Sequence, residues 1–145
     1  MWRAHGGVFE GVASEGGEYK LPTAEESEAF YRTLFADGIA EGMIATEIDY
    51  QSTDYSMVPL LRTNASYGEG WLRGMSDAAM SLHMPIQWCM SLPRFVLQGA
   101  LTLPAVSNAR ASGDFQESDG NLVNFGPTSL LYYALGLPPS KDSLW

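Results

Sequence analysis

The sequence predicts an α/β fold in which parallel strands alternate with crossover helices. Two observations lead there. From residue 23 onward, apolar residues switch between helical spacing and short continuous runs, in the order α-β-α-β-α-β-α. Each short run is bounded by glycine, proline or polar turn residues, and alternation of this kind means strands joined by helices rather than by hairpins.

Residues 1–22 are glycine-rich and aperiodic and read as a long loop. Thr23 followed by Ala24-Glu25-Glu26 fits a helix start, with a hydroxyl cap and acids in the first turn, where the helix dipole favours them. Phe30, Tyr31, Leu34 and Phe35 continue at helical spacing until Gly38 and Gly42 end the pattern. Met43 to Tyr50 is short, mostly apolar and preceded by glycine, as expected of a buried parallel strand. Gln51 to Tyr67 reads as polar loop, and Tyr67 to Leu82 as a helix with Trp71, Leu72, Met75, Ala78, Ala79 and Leu82 on its apolar face. Pro85 to Met90 reads as a second strand. Pro93 opens a helix to Leu101, proline being well suited to a first helical position. Pro104 to Arg110 is a third strand, Ala111 to Phe115 a loop that stays polar to Asn124, and Thr128 to Leu135 a helix closed by Gly136. The last residues, Leu137 to Trp145, lead towards a further strand.

Two architectures fit this order, a doubly wound sheet and a (β/α)₈ barrel. A barrel spends roughly 31 residues on each unit, so the chain holds about four and a half units. No glycine-rich phosphate loop follows any strand, which counts against a nucleotide-binding doubly wound sheet.

Bulk composition narrows the partners. A formal charge of −9 repels phosphate backbones and anionic lipid, so neither nucleic acid nor a membrane surface is expected. A neutral ligand such as a sugar is not disfavoured. The single cysteine, Cys89, and two histidines, His5 and His83, make a poor metal set, and no metal or organic cofactor is expected. No apolar run approaches the roughly 20 residues that span a bilayer. No signal peptide is visible, and the sequence does not indicate a compartment.

Asp49 falls at the carboxyl end of a strand, where the catalytic groups of barrels gather. It shares a strand face with Glu47, because side chains alternate with period two. Asp114 comes 65 residues later, after the third strand, a separation near two barrel units. Two carboxylates over one opening are what glycoside cleavage requires. An aspartate after glycine in a polar turn is equally an ordinary loop residue. Arg110 ends an apolar strand and needs an acidic or hydroxyl partner. Trp88 could stack on a sugar ring, although a tryptophan here is more often core. Cys89 reads as a small buried hydrophobe, His83 as a surface helix cap, and Tyr132 and Tyr133 as helix packing.

Three stretches resemble a known family. Ile44-Ala45-Thr46-Glu47-Ile48-Asp49-Tyr50-Gln51 is similar to a strand ending in hydrophobic-Asp-hydrophobic-Gln, Cys89-Met90-Ser91 to a Cys-Met-Ser strand end, and Ala109-Arg110-Ala111-Ser112-Gly113-Asp114-Phe115 to Arg-Ala-Ser-Asp-Asp-Phe. The family is the raffinose synthase, seed-imbibition protein and alkaline α-galactosidase group of retaining α-galactosidase-type barrels. The closing Lys141-Asp142-Ser143-Leu144-Trp145 is similar to its next strand, which carries a Trp-Asp pair.

This resemblance implies the second half of a (β/α)₈ barrel, with Asp49 as nucleophile and Asp114 as acid/base. It implies Glu47, Arg110, Trp88, Cys89, Asp142 and Trp145 around a carbohydrate substrate, with no cofactor. Gly113 stands where the family has the first aspartate of its pair, and Glu47 where it has a lysine. A catalytically inactive carbohydrate-binding homologue is the alternative, and an unrelated α/β domain the third reading. The early strands would lie upstream. A half barrel has open edges, so the chain alone is expected to self-associate; monomeric behaviour on sizing with a sharp melt would contradict that.

Overall fold

The computed structural model describes residues 2–4, 7–112 and 121–141, excluding the side chains of 2–4 and 121–124. Residues 7–22 are not the expected loop. Strands β1 (Trp2–Ala4) and β2 (Gly7–Phe9) pair antiparallel, as do β3 (Val12–Ala13) and β4 (Lys20–Leu21), with a 3₁₀ turn at Glu15–Gly17. These ribbons are too short to show a sequence period, but they bury Phe9 and Leu21.

Helix α1 (Ser27–Ala40) begins four residues beyond Thr23, after a turn at residues 24–26. Thr23 Oγ1 accepts the Glu26 amide at 3.2 Å, and Glu26 Oε2 accepts the Thr23 amide at 3.2 Å, a reciprocal capping box. The same carboxylate accepts the amides of Glu10 at 2.6 Å and Gly11 at 3.1 Å, so one side chain ties the turn before the helix to the amino-terminal ribbons. Gly38 lies inside the helix rather than ending it; Gly42, at φ +96°, closes it, with Met43 N donating to Gly38 O at 2.9 Å.

The expected polar loop after residue 50 is instead two short helices, α2 (Gln51–Met57) and α3 (Pro59–Thr63). Pro59 occupies the first turn of α3, and buried Val58 and Leu61 anchor the pair. Helix α4 (Ala65–Ser81) is capped by Asn64, whose Oδ1 accepts the Tyr67 amide at 3.0 Å. His83, at φ 55°, terminates it in the place where glycine is usual, and Met84 N returns to Ala79 O at 2.9 Å.

The remaining elements are β5 (Thr46–Ile48), β6 (Ile86–Trp88), α5 (Pro93–Thr102), β7 (Val106–Arg110), α6 (Asn121–Ala134) and β8 (Pro139–Ser140). Gly136 closes α6 at φ +80°, as its position predicts. The four strands form one parallel sheet in the order β5-β6-β7-β8. The order never reverses, so crossovers of the usual right hand place every connecting helix on the same face.

That face carries the core. Trp71, Leu72, Met75, Ala78 and Ala79 of α4 pack with Phe30, Tyr31 and Phe35 of α1, and Trp88 of β6 with Phe95 and Val96 of α5. Trp71 and Phe95 meet edge to face at 6.3 Å, and Trp71 Nε1 donates to the Tyr31 hydroxyl at 3.1 Å. Strand β5 departs from expectation: it is an edge strand, Glu47 is exposed, and Ile44 just before it is 87 % exposed. Among the described residues, no helix is long and apolar enough to cross a membrane.

Candidate active site

The face of the sheet opposite the buried Ile86 and Trp88 is polar. Strand register sets Glu47 beside Gln87 and Gln87 beside Asn108. Alternation then puts Asp49, Cys89 and Arg110 together, two residues further along, at the carboxyl ends of three neighbouring strands. Two polar rows result. In the first, Asn108 Nδ2 donates to Gln87 Oε1 at 2.6 Å. In the second, Arg110 Nη1 reaches Cys89 Sγ at 3.0 Å. Carboxylate oxygens of Glu47 and Asp49 and the Cys89 sulfur all lie within 4.8 Å of one another.

The chain leaves this site through tight geometry. Asp49 Oδ1 accepts the Tyr50 amide at 2.7 Å, and Tyr50 is left-handed at φ 59°. Met90, the residue after Cys89, is left-handed at φ 45°. The two strand ends are joined: Cys89 N donates to Ile48 O at 3.0 Å, Ser52 N to Met90 O at 2.9 Å, and Ser91 Oγ to Gln51 Oε1. Beside them is a cavity of about 340 Å³ lined by Ser52, Met90, Ser91, Arg110, Ser112 and Tyr132. Arg110 Nε donates to Ser112 O at 2.6 Å, so the guanidinium grips both the sulfur and the start of the loop after β7. A larger hollow of about 520 Å³, between α1 and the start of β5, lies away from these strand ends.

The Cys89 thiol is pushed up to about 12, first by burial and then by the Glu47 and Asp49 carboxylates, with Arg110 opposing. It is therefore a neutral S–H at physiological pH, not a nucleophile. A divalent ion on Glu47, Asp49 and Cys89 would need the thiolate and would sit beside the Arg110 guanidinium. The donor set suits a hydroxyl-bearing neutral ligand better.

The sequence-predicted site residues divide into three groups. Glu47, Asp49, Cys89 and Arg110 converge. Trp88 does not: it is wholly buried, its Nε1 donates to Phe95 O at 3.1 Å, and it points into the helix layer, because adjacent strand residues face opposite ways. It is core and not a sugar platform. Asp114, Asp142 and Trp145 lie outside the described residues.

Sequence reasoning missed Gln51, Ser52 and Asn108 and read Tyr132 as packing alone. A period-two pairing was there to be found: Glu47 with Asp49, Gln87 with Cys89, and Asn108 with Arg110. The chain gives no match to protein-family models, to curated proteins or to solved structures.

Proposed function

We propose that the chain forms the second half of a (β/α)₈ barrel that acts on an α-linked hexose with retention of configuration. Asp49 attacks the anomeric carbon, and Asp114 protonates the departing oxygen and then deprotonates the incoming water or sugar hydroxyl. The observation that carries this reading is the convergence of Asp49, Glu47, Cys89 and Arg110 at the carboxyl ends of three adjacent parallel strands. That end is where barrels hold their chemistry.

Further support comes from the strand order, which follows the chain without reversal as it does in a barrel. The open cavity is near the lower end of small-ligand sites, which run from roughly 300 Å³ upward. Arg110 holds Ser112, two residues before Asp114, and so anchors the root of the acid/base loop. The neutral Cys89 thiol adds a weak donor beside Glu47 and Asp49 without adding charge.

The experiment is the substitution of Asp49→Asn and Asp114→Asn, each assayed in the complete barrel with aryl α-galactosides. A loss of 10³-fold or more in kcat is expected on the order of what removing a nucleophile costs. Unchanged turnover in either variant overturns the assignment. One observation favours a second reading. Glu47 places a like charge within 4.8 Å of Asp49, which suits a binding protein without turnover. Saturable binding of galactosides with no hydrolysis would decide for it.

A further inference from the structure

Two left-handed residues that are not glycine stand next to each other in space, and nothing in the site's chemistry explains them. Such a backbone is uncommon outside glycine and persists where the surroundings hold it. His83, the third, has an ordinary role as a helix terminator, with its neighbour's amide returning to Ala79 O. Tyr50 has no such role. It occupies the cap position of α2, where an extended backbone is the rule, yet its φ is 59° and it makes no side-chain cap. Met90 takes the same conformation at the end of the next strand.

Each of these residues immediately follows a site side chain, Asp49 or Cys89. The Asp49 carboxylate is tied to the first peptide of the Tyr50 turn, whose amide it accepts at 2.7 Å, and Cys89 stands at the start of the Met90 turn. Two cross-links hold both turns. Ser52 N donates to Met90 O at 2.9 Å, and Ser91 Oγ donates to Gln51 Oε1. Gln51 has no solvent exposure, and its Nε2 makes no hydrogen bond among the described residues. A buried amide with one end idle is costly to keep. Here its bond to Ser91 crosses from one site strand to the next.

We propose that Gln51 and Ser91 are positioning residues, a side-chain clasp that keeps Tyr50 and Met90 left-handed and so holds Asp49 and Cys89 in place at the carboxyl ends of β5 and β6. The clasp rests on the glycosidase reading only for what Asp49 does once held. The geometry of the clasp itself stands without it. When the clasp is cut, Tyr50 relaxes toward the right-handed or extended region, the Asp49 carboxylate turns away, and the buried thiol opens.

The test uses Ser91→Ala, Gln51→Met and the conservative Ser91→Thr. The backbone carbon chemical shifts of Tyr50 report its conformation directly. The alkylation rate of the single thiol reports opening of the site. Ser91→Ala and Gln51→Met are expected to move the Tyr50 shifts out of the left-handed range and to speed alkylation at least fivefold, both read well below the melting transition so that global unfolding does not contribute. Ser91→Thr is expected to restore both. In the complete barrel, kcat is expected to fall at least tenfold with KM within twofold.

Unchanged Tyr50 shifts and an unchanged alkylation rate in both variants overturn the clasp. So does faster alkylation with the Tyr50 shifts unchanged, which marks a structural role only. If the wild-type barrel turns over no glycoside, the glycosidase reading fails. The shift and alkylation measurements then still decide the clasp.

Discussion

Two of the three glycines of helix α4, Gly68 and Gly74, six residues apart, should answer oppositely to the same substitution. An alanine methyl at position 74 would lie 2.7 Å from Glu28 N, 2.7 Å from Ser27 Cβ and 3.0 Å from Ser27 Oγ. Ordinary contacts are about 3.5–4.0 Å, so α1 and α4 must part by up to an ångström. The obstacle is helix backbone rather than a flexible side-chain tip, and overpacking of this kind costs about 1–3 kcal/mol. Separation also stretches the buried bond from Ser27 Oγ to Trp71 O, now 2.6 Å, for about another 1 kcal/mol.

Against this stands the helix preference for alanine over glycine, about 1 kcal/mol. The net for Gly74→Ala is a loss of about 1–3 kcal/mol, or roughly 3–10 °C in Tm for a chain of this size. At Gly68 the new methyl meets only Arg94 Nη2 at 3.6 Å and Leu61 Cδ2 at 3.7 Å, which is normal contact. Gly68→Ala should gain up to about 1 kcal/mol. Urea or thermal unfolding followed by circular dichroism, at a concentration low enough to keep the chain monomeric, reads both. A Gly74→Ala variant as stable as the parent would show that the two helices do not approach this closely.

Two further predictions concern carboxylates outside the site. Burial alone would raise the Glu26 pKa, but the Glu10, Gly11 and Thr23 amides and the Thr23 hydroxyl together lower it. A depressed folded pKa means stability that is present above the unfolded value near 4.3 and lost as pH falls through the folded value. Glu26→Ala should cost about 1 kcal/mol at pH 7 and progressively less in acid, read by melts across pH; a cost that does not depend on pH would contradict these bonds. Asp54 is raised to about 6, by burial first, with Tyr19 opposing. Its sign is reversed: the stability it adds is present below the unfolded value near 3.9 and lost as pH rises through about 6. Asp54→Asn should therefore stabilise the fold at pH 7.5 by about 1–2 kcal/mol, after discounting for partial exposure, and by little at pH 4. A larger gain at pH 4 than at pH 7.5 would refute it.

The sequence made some elements easy to see and hid others for physical reasons. Helix α4 was plain because Trp71, Leu72, Met75, Ala78 and Ala79 repeat at helical spacing against a single core. Helices α2 and α3 were not, because Gln51, Ser52, Thr53 and Asp54 are residues that also favour turns and Pro59 divides the stretch. Residues 43–50 were recognised as a strand but assigned the wrong burial. Whether an apolar run is central or at an edge depends on its neighbours, and composition does not encode those. Glu47 and Asp49 could be paired from sequence, since one strand holds both. The contact of Cys89 with Arg110 needs the register of β6 on β7, which shifts between Ile86 and Gln87. The Gln51–Ser91 bond, 40 residues apart, needs the fold itself.

A sheet whose neighbours in space are also neighbours along the polypeptide has a consequence for how it is made. Each strand after β5 finds its docking edge already synthesised. Assembly can therefore proceed strand by strand during translation, at roughly 5–20 residues per second, without waiting for a distant segment. Until each next strand arrives, the newest edge stands uncovered, and at that moment the nascent chain is most exposed to aggregation.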